Sequence, residues 1–238
     1  MAYWTALQVL SQAAGELGLP RPATITGLSD LQSVQLLSLL NSAGNELLLY
    51  YPWEQFLKEY TFATVNGTDT YALPTDLAYF TDQTQWDRTN HWPLLGPKSA
   101  QEWAWLKGAL VAALPRQRYR IINDKFTLWP VPGATVVTLA MEYVSTNWVS
   151  NSVAPLLSDT IIRDDDTLLF NQWLLVKFVK FKFLATKGLP SKTALAEFMR
   201  VYDSLTGKDK GGKILSLAPH VTSPYIGAWS VPDGSWNI

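Results

Sequence analysis

The chain has 238 residues, 47% of them hydrophobic and only 16% charged, which supplies enough apolar surface for a full core. Nineteen basic against 20 acidic residues leave a formal net charge of -1, which excludes a global field pulling the protein onto nucleic acid or an anionic membrane. With Cys 0, disulfides, thiolate catalysis and cysteine-ligated metal are excluded as well.

The N-terminal Met1-Ala2-Tyr3-Trp4-Thr5 has no basic region followed by an apolar run, so no secretory signal is expected. Residues 5–17 place Ala6, Leu7, Val9, Leu10, Ala13, Ala14 and Leu17 at helical spacing, closed by Gly18 and Pro20. A second helix is predicted from Ser29, where Ser29-Asp30-Leu31-Gln32 has the capping-box pattern, through Val34, Leu37, Leu40, Ala43, Leu47 and Leu48 to Pro52. After Trp53 the pattern alternates: residues 59–65, the turn Asn66-Gly67 and residues 70–73 predict a β-hairpin. Further strands are predicted over residues 78–86, 91–95, 118–123, 125–130 and 135–144, with Asn123-Asp124 and Pro132-Gly133 as turns. A short helix over residues 99–106 interrupts them, turning Trp103 and Leu106 inward and Trp105 away.

From Asp166 the chain reads as helix again, with Asp164, Asp165 and Asp166 as negative charge at its N-terminus and Lys187-Gly188-Leu189-Pro190 at its end. Its apolar stretch, residues 168–184, is interrupted by Lys177, Lys180 and Lys182, so it reads as a buried helix and not a membrane span. A last helix begins near Ser191, buries Ala194, Leu195, Phe198, Val201, Tyr202 and Leu205, and frays by Gly207. The fold class expected is α+β: a discontinuous helical bundle from residues 1–58 and 163–207, an inserted β-rich domain at 59–162, and an extended C-terminal arm at 208–238.

The chemical inventory is sparse. His91 and His220 lack metal-ligand spacing, and no glycine-rich phosphate loop occurs, so neither metal nor cofactor is expected and no residue is assigned a catalytic role. The acidic run reads as helix caps, since the spacing of a calcium loop is missing. Lys177, Lys180 and Lys187 fall within roughly an 80° arc of one helix, either a solvated face or a basic stripe touching a neighbouring subunit or lining a DNA passage. Eleven Trp, ten Tyr and nine Phe are the unusual feature, because aromatics concentrate in cores and in interface anchors. Trp53, Trp86, Trp92, Trp103, Trp129, Trp148 and Trp173 are expected in the core, with sugar stacking as the sharper reading. Tyr225, Ile226, Trp229, Val231 and Trp236, set among prolines and glycines, are candidate anchors of an arm that orders on a partner.

Several phrases, in this order, resemble a known family. They are Tyr71-Ala72-Leu73-Pro74-Thr75-Asp76, then Pro93-Leu94-Leu95-Gly96-Pro97-Lys98-Ser99-Ala100-Gln101-Glu102-Trp103, then Pro115-Arg116-Gln117-Arg118-Tyr119-Arg120-Ile121, then Phe126-Thr127-Leu128-Trp129-Pro130-Val131-Pro132, and Met141-Glu142-Tyr143-Val144-Ser145-Thr146-Asn147-Trp148-Val149. With the acidic start and lysine-rich end of the long helix, they resemble the head-to-tail adaptor, or tail tubular protein A-like connector, of short-tailed bacteriophages, over most of residues 5–206. The resemblance implies a non-enzymatic virion protein of the neck, assembled in the bacterial host cytoplasm. It implies a dodecameric ring bound to the portal protein, a channel for the genome with passive, sequence-independent proximity to DNA, and a lower face receiving tail nozzle and fibre proteins. Two alternatives come from the residues: a carbohydrate- or receptor-binding tail module, suggested by the tryptophans, and a hydrolase using Asp159, Asp164 or Glu102.

Overall fold

A computed structural model of the protein describes residues 3–26, 30–108, 116–153 and 156–209. The first elements are α1 (Ala6–Glu16), α2 (Leu31–Tyr50), β1 (Leu57–Ala63), β2 (Thr70–Ala72), β3 (Leu77–Phe80), β4 (Trp86–Asp87) and β5 (Trp92–Pro93). There follow α3 (Ala100–Gly108), β6 (Arg118–Ile122), β7 (Lys125–Trp129), β8 (Thr138–Ser145), β9 (Val149–Ser150), β10 (Leu157–Ser158), β11 (Thr167–Leu168), α4 (Gln172–Thr186) and α5 (Lys192–Asp209). The fold is mixed α+β, and the described chain forms two compact units, one drawn from Met1–Leu57 and Val144–Lys213, the other from Lys58–Tyr143.

In the helical unit, α1 starts with a reciprocal cap: the Thr5 hydroxyl accepts from the Gln8 N–H at 3.3 Å and the Gln8 side chain accepts from the Thr5 N–H at 3.0 Å. It stops at Gly18, whose φ of 70° is the left-handed conformation glycine adopts without strain. The start of α2 is set by Asp30, whose carboxylate takes both the N–H and the hydroxyl of Ser33 at 3.0 Å; Ser29, where the capping pattern puts the start, lies outside the described residues. Helix α4 is the hub and packs on α1, α2 and α5. It buries Leu174, Leu175, Val176, Phe178, Val179 and Phe183, and Phe178 stacks on Phe198 of α5 with centroids 4.4 Å apart.

Three expectations for this unit are corrected. Helix α4 begins after Asn171, whose side chain accepts from the Trp173 N–H, so the acidic run lies upstream of β11 and does not cap α4; the Asp166 and Asp164 carbonyls instead accept from the Ala6 and Leu7 N–H groups at the start of α1, at 2.8 and 3.4 Å. Helix α5 continues past Gly207 to Asp209, and Leu195 is 40% exposed instead of buried. The strand-rich stretch from Val144 onward, expected within the insertion up to 162, belongs to the helical unit. There β10, β9 and β11 form a small antiparallel sheet, and the fully buried Trp148 donates from Nε1 to Asn45 Oδ1 (3.1 Å) and to the Asp159 carbonyl (2.9 Å). The Ile161 N–H adds a bond to Asn41 Oδ1 at 2.9 Å, so one face of α2 holds the segment by polar contacts that hydrophobic periodicity does not register.

The second unit holds two sheets, β1-β8-β4-β5 with β3 also on β8, and β2-β7-β6. Its core comprises Leu94, Tyr119, Phe126, Leu128, Val137, Leu139 and Met141, with Tyr119 and Phe126 stacked at 4.8 Å. The hairpin expected over 59–73 is not one. Gly67 turns the chain at φ 76°, but β1 pairs with β8 and β2 with β7, in the register Tyr71↔Phe126, so the turn carries the chain from one sheet to the other. The strand expected over 78–86 is likewise split into β3 and β4 by a turn through Gln83. The β6–β7 hairpin closes through Asn123-Asp124, both at left-handed φ (50° and 53°), and α3 buries Trp103 and Leu106 while Trp105 stays 70% exposed.

Candidate functional site

The basic arc of α4 meets two glutamates. Lys177 Nζ lies 2.8 Å from Glu16 Oε2 on α1 and 3.3 Å from Glu197 Oε2 on α5, and Lys180 Nζ lies 2.9 Å from Glu197 and 3.3 Å from Glu16. All four side chains are between 17% and 34% exposed, so two cations and two anions form a compensated clasp joining three helices. Burial alone would raise Glu16, but the hydrogen bonds and charges of Lys177 and Lys180 outweigh it and hold its carboxyl below the usual range. The bond from Lys180 holds Glu197 down, and the reciprocal bond raises Lys180. Lys182 turns to α2, bonding Glu46 Oε1 at 2.5 Å and Ser42 Oγ at 2.7 Å.

Of the predicted stripe, Lys177 and Lys180 are therefore brought together but neutralised, while Lys187 stands exposed at the end of the helix with Nζ 5.4 Å from the Phe183 ring centroid. Glu16 and Glu197 are the residues that the reading of single helices missed. Their position shows only when α1 and α5 are laid against the same arc of α4.

The acidic run fastens loops. The Asp164 carboxylate accepts from the Thr24 hydroxyl at 2.7 Å and from the N–H groups of Ile25 and Thr26, which together hold its pKa below the ordinary value. Asp166 Oδ2 accepts from the Ile162 and Arg163 N–H groups at 2.7 Å each. Glu102 and Ser99 cap α3 reciprocally. Among the described residues no group of three or more His, Asp or Glu side chains converges as a metal site, and no helix is long and apolar enough to cross a membrane.

Trp53, Trp103 and Trp148 are core residues, Trp92 and Trp129 are half-buried, and Trp86 and Trp173 are exposed, which corrects the expectation for the last two. In the helical unit large apolar side chains face outward: Leu31 (79% exposed), Leu49, Tyr50, and Trp173, whose ring lies 5.5 Å from Trp4. In the second unit an open cleft of ≈ 340 Å³ is lined by Trp86, Glu59, Glu142, Asp87, Arg88 and His91 with Gln83, Thr84 and Met141. The candidate arm residues Tyr225, Ile226, Trp229, Val231 and Trp236, and His220, lie outside the described residues.

No curated protein matches the chain. The model of the family described as SU10 adaptor protein matches residues 4–212, nearly the whole sequence. The chain thus belongs to the SU10 adaptor family and is a phage head-to-tail adaptor of that type, a structural component of the virion.

Proposed function

We propose that the chain forms a closed ring, of twelve copies by the resemblance drawn from its sequence, that docks under the portal protein, surrounds the DNA channel and receives nozzle and fibre proteins on its lower face. The observation that carries this reading is the outward display of large apolar groups on the helical unit, Leu31, Leu49, Tyr50 and Trp173. A ring subunit needs two different surfaces to bury, because lateral contacts are heterologous and close by rotation. The helical unit is the ring-forming part in this reading, and the aromatic C-terminal arm with Tyr225, Ile226, Trp229, Val231 and Trp236 reaches a neighbour or the portal.

The compensated clasp supports a passive relation to DNA. With Lys177 and Lys180 occupied by Glu16 and Glu197, Lys187 is the member of the stripe left to meet a phosphate or an acidic neighbour. Electron microscopy of the purified chain, alone and mixed with its cognate portal, tests the proposal. Rings on the portal are expected, and a chain that stays monomeric and never joins the portal overturns it. Removing residues 215–238 is expected to weaken portal assembly while circular dichroism stays unchanged; unaltered assembly refutes the role of the arm.

A further inference from the structure

The open cleft in the second unit is lined by side chains whose charges are only partly paired with one another. Trp86 leads β4 with its residue surface 41% exposed, although a tryptophan in a two-residue strand is expected to pack inward. Around it stand three carboxylates, Glu59, Asp87 and Glu142, against one guanidinium, Arg88. That cation is already taken: Arg88 Nη2 lies 2.6 Å from Glu59 Oε1. Asp87 is spent on the turn that follows it, accepting from the N–H groups of Thr89 (2.9 Å) and Asn90 (2.8 Å) and from the Asn90 amide at 2.7 Å. Glu142 is exposed, and its backbone, not its carboxylate, is pinned: its N–H donates to Thr84 Oγ1 at 3.1 Å and its carbonyl accepts from the Thr81 N–H at 3.0 Å. An exposed indole and an uncompensated carboxylate thus line one preformed cleft.

The walls are held in shape by unusual backbone. Gln83 and His91 line opposite ends of the β4 segment at φ 62° and 60°, a left-handed conformation uncommon outside glycine, although histidine enters it more readily than glutamine. Strain of this kind persists only where neighbouring bonds over-determine it. Here they are the Thr81–Thr84–Glu142 bonds on one side and the Asp87–Thr89–Asn90 bonds on the other. A rigid aromatic face beside net negative charge is the chemistry that recognises an ammonium or guanidinium group, through the ring quadrupole and a charge-assisted hydrogen bond.

We infer that this cleft is a seat for a basic side chain, lysine or arginine, presented by another protein chain, with Trp86 as the stacking face and Glu142 as the counter-charge. The occupant is taken as a residue of a protein because membership of an adaptor family implies contact with other virion proteins, and the negative charge of the cleft disfavours a nucleic-acid phosphate. The inference does not depend on ring formation or on portal docking.

The test uses the full chain labelled with nitrogen-15 and follows the indole N–H signal of Trp86, identified by its loss in Trp86→Phe. Three capped pentapeptides, Gly-Gly-Xaa-Gly-Gly with lysine, arginine or norleucine at the centre, are titrated in. The lysine and arginine peptides are expected to shift the Trp86 signal, the norleucine peptide to leave it in place, and the response to weaken as salt is raised about tenfold. Glu142→Gln, an exposed change, is expected to weaken the binding by about tenfold while leaving the rest of the spectrum intact. No shift with either basic peptide, or an equal shift with norleucine, overturns the inference. A shift produced by methyl hexosides and not by the basic peptides also overturns it and marks the cleft as a glycan seat.

Discussion

Gly44 of α2 lies flat beneath the indole of Trp148: a Cβ built at position 44 would stand 2.3 Å from both Cε2 and Cζ2 of that ring. The glycine is required by this close approach and not by its own backbone angles. Gly44→Ala should therefore destabilise the protein by about 2–3 kcal/mol through overpacking. In a Trp148→Leu background the same change should cost far less, and a double-mutant cycle on denaturant midpoints measures the difference. Equal costs in the two backgrounds would show that the contact does not carry the effect.

The clasp predicts a pH dependence whose sign is fixed. Glu16 and Glu197 titrate below their ordinary value of 4.5 in the folded protein, so below that value the unfolded chain binds more protons than the folded one. Their contribution is full above the unfolded value and is lost as pH falls through the folded values. A Glu16→Gln, Glu197→Gln variant should show a shallower loss of melting temperature than the native chain as pH falls below 4.5. Scanning calorimetry at a series of pH values is the measurement. Glu16→Gln alone should cost about 1–2 kcal/mol near neutrality, because it leaves two half-buried ammonium groups with one carboxylate between them.

The two acidic-run aspartates and Asn171 have separable roles. Asn171→Ala should fray the first turn of α4, seen as faster amide exchange at Trp173 and Leu174 and a loss of about 1 kcal/mol. Asp164→Ala should instead release residues 24–26 and leave α4 protected, since its carboxylate bonds only that loop. Slower exchange in the 24–26 loop of the Asp164 variant than in the native chain would contradict the assignment.

Asp124 occupies the second left-handed position of the β6–β7 turn. Asp124→Gly should raise stability by about 0.5 kcal/mol, glycine being the residue that this turn position prefers, and should raise the thermal midpoint without altering the β6–β7 register. Asp124→Val should lower it, because a β-branched side chain resists positive φ.

Where local rules decide the outcome, the sequence reads directly. The Gly18 and Gly188 stops, the Asn123-Asp124 turn and the inward Trp103 with outward Trp105 all depend on residues within a turn or two of each other. The misreadings share the opposite character. Asn66-Gly67 is a sound turn signal, yet whether the strands it joins pair with each other is settled by β7 and β8, far along the chain. The aspartates at 164–166 have the composition of a helix cap, but their partners are residues 24–26 and 162–163. The lysines of α4 are periodic in the sequence, while the glutamates that neutralise them belong to other helices. Surface sites such as the Trp86 cleft are least legible, since strand patterning treats an aromatic as core until the turns beside it are placed.

The hub position of α4 also has a meaning in time. Ribosomes deliver the chain from its N-terminus, so α1 and α2 emerge with Leu10, Leu36, Leu40 and Leu47 uncovered, and the helix that covers them follows more than a hundred residues later. The residues between include the whole contiguous segment Lys58–Tyr143, which carries its own core and can close while its flanks wait. Helices α1 and α2 thus spend the synthesis of the second unit with these leucines uncovered, open to aggregation or to chaperones. Their rescue is a ring closure over a long loop, completed only when Phe178 and Phe198 leave the exit tunnel.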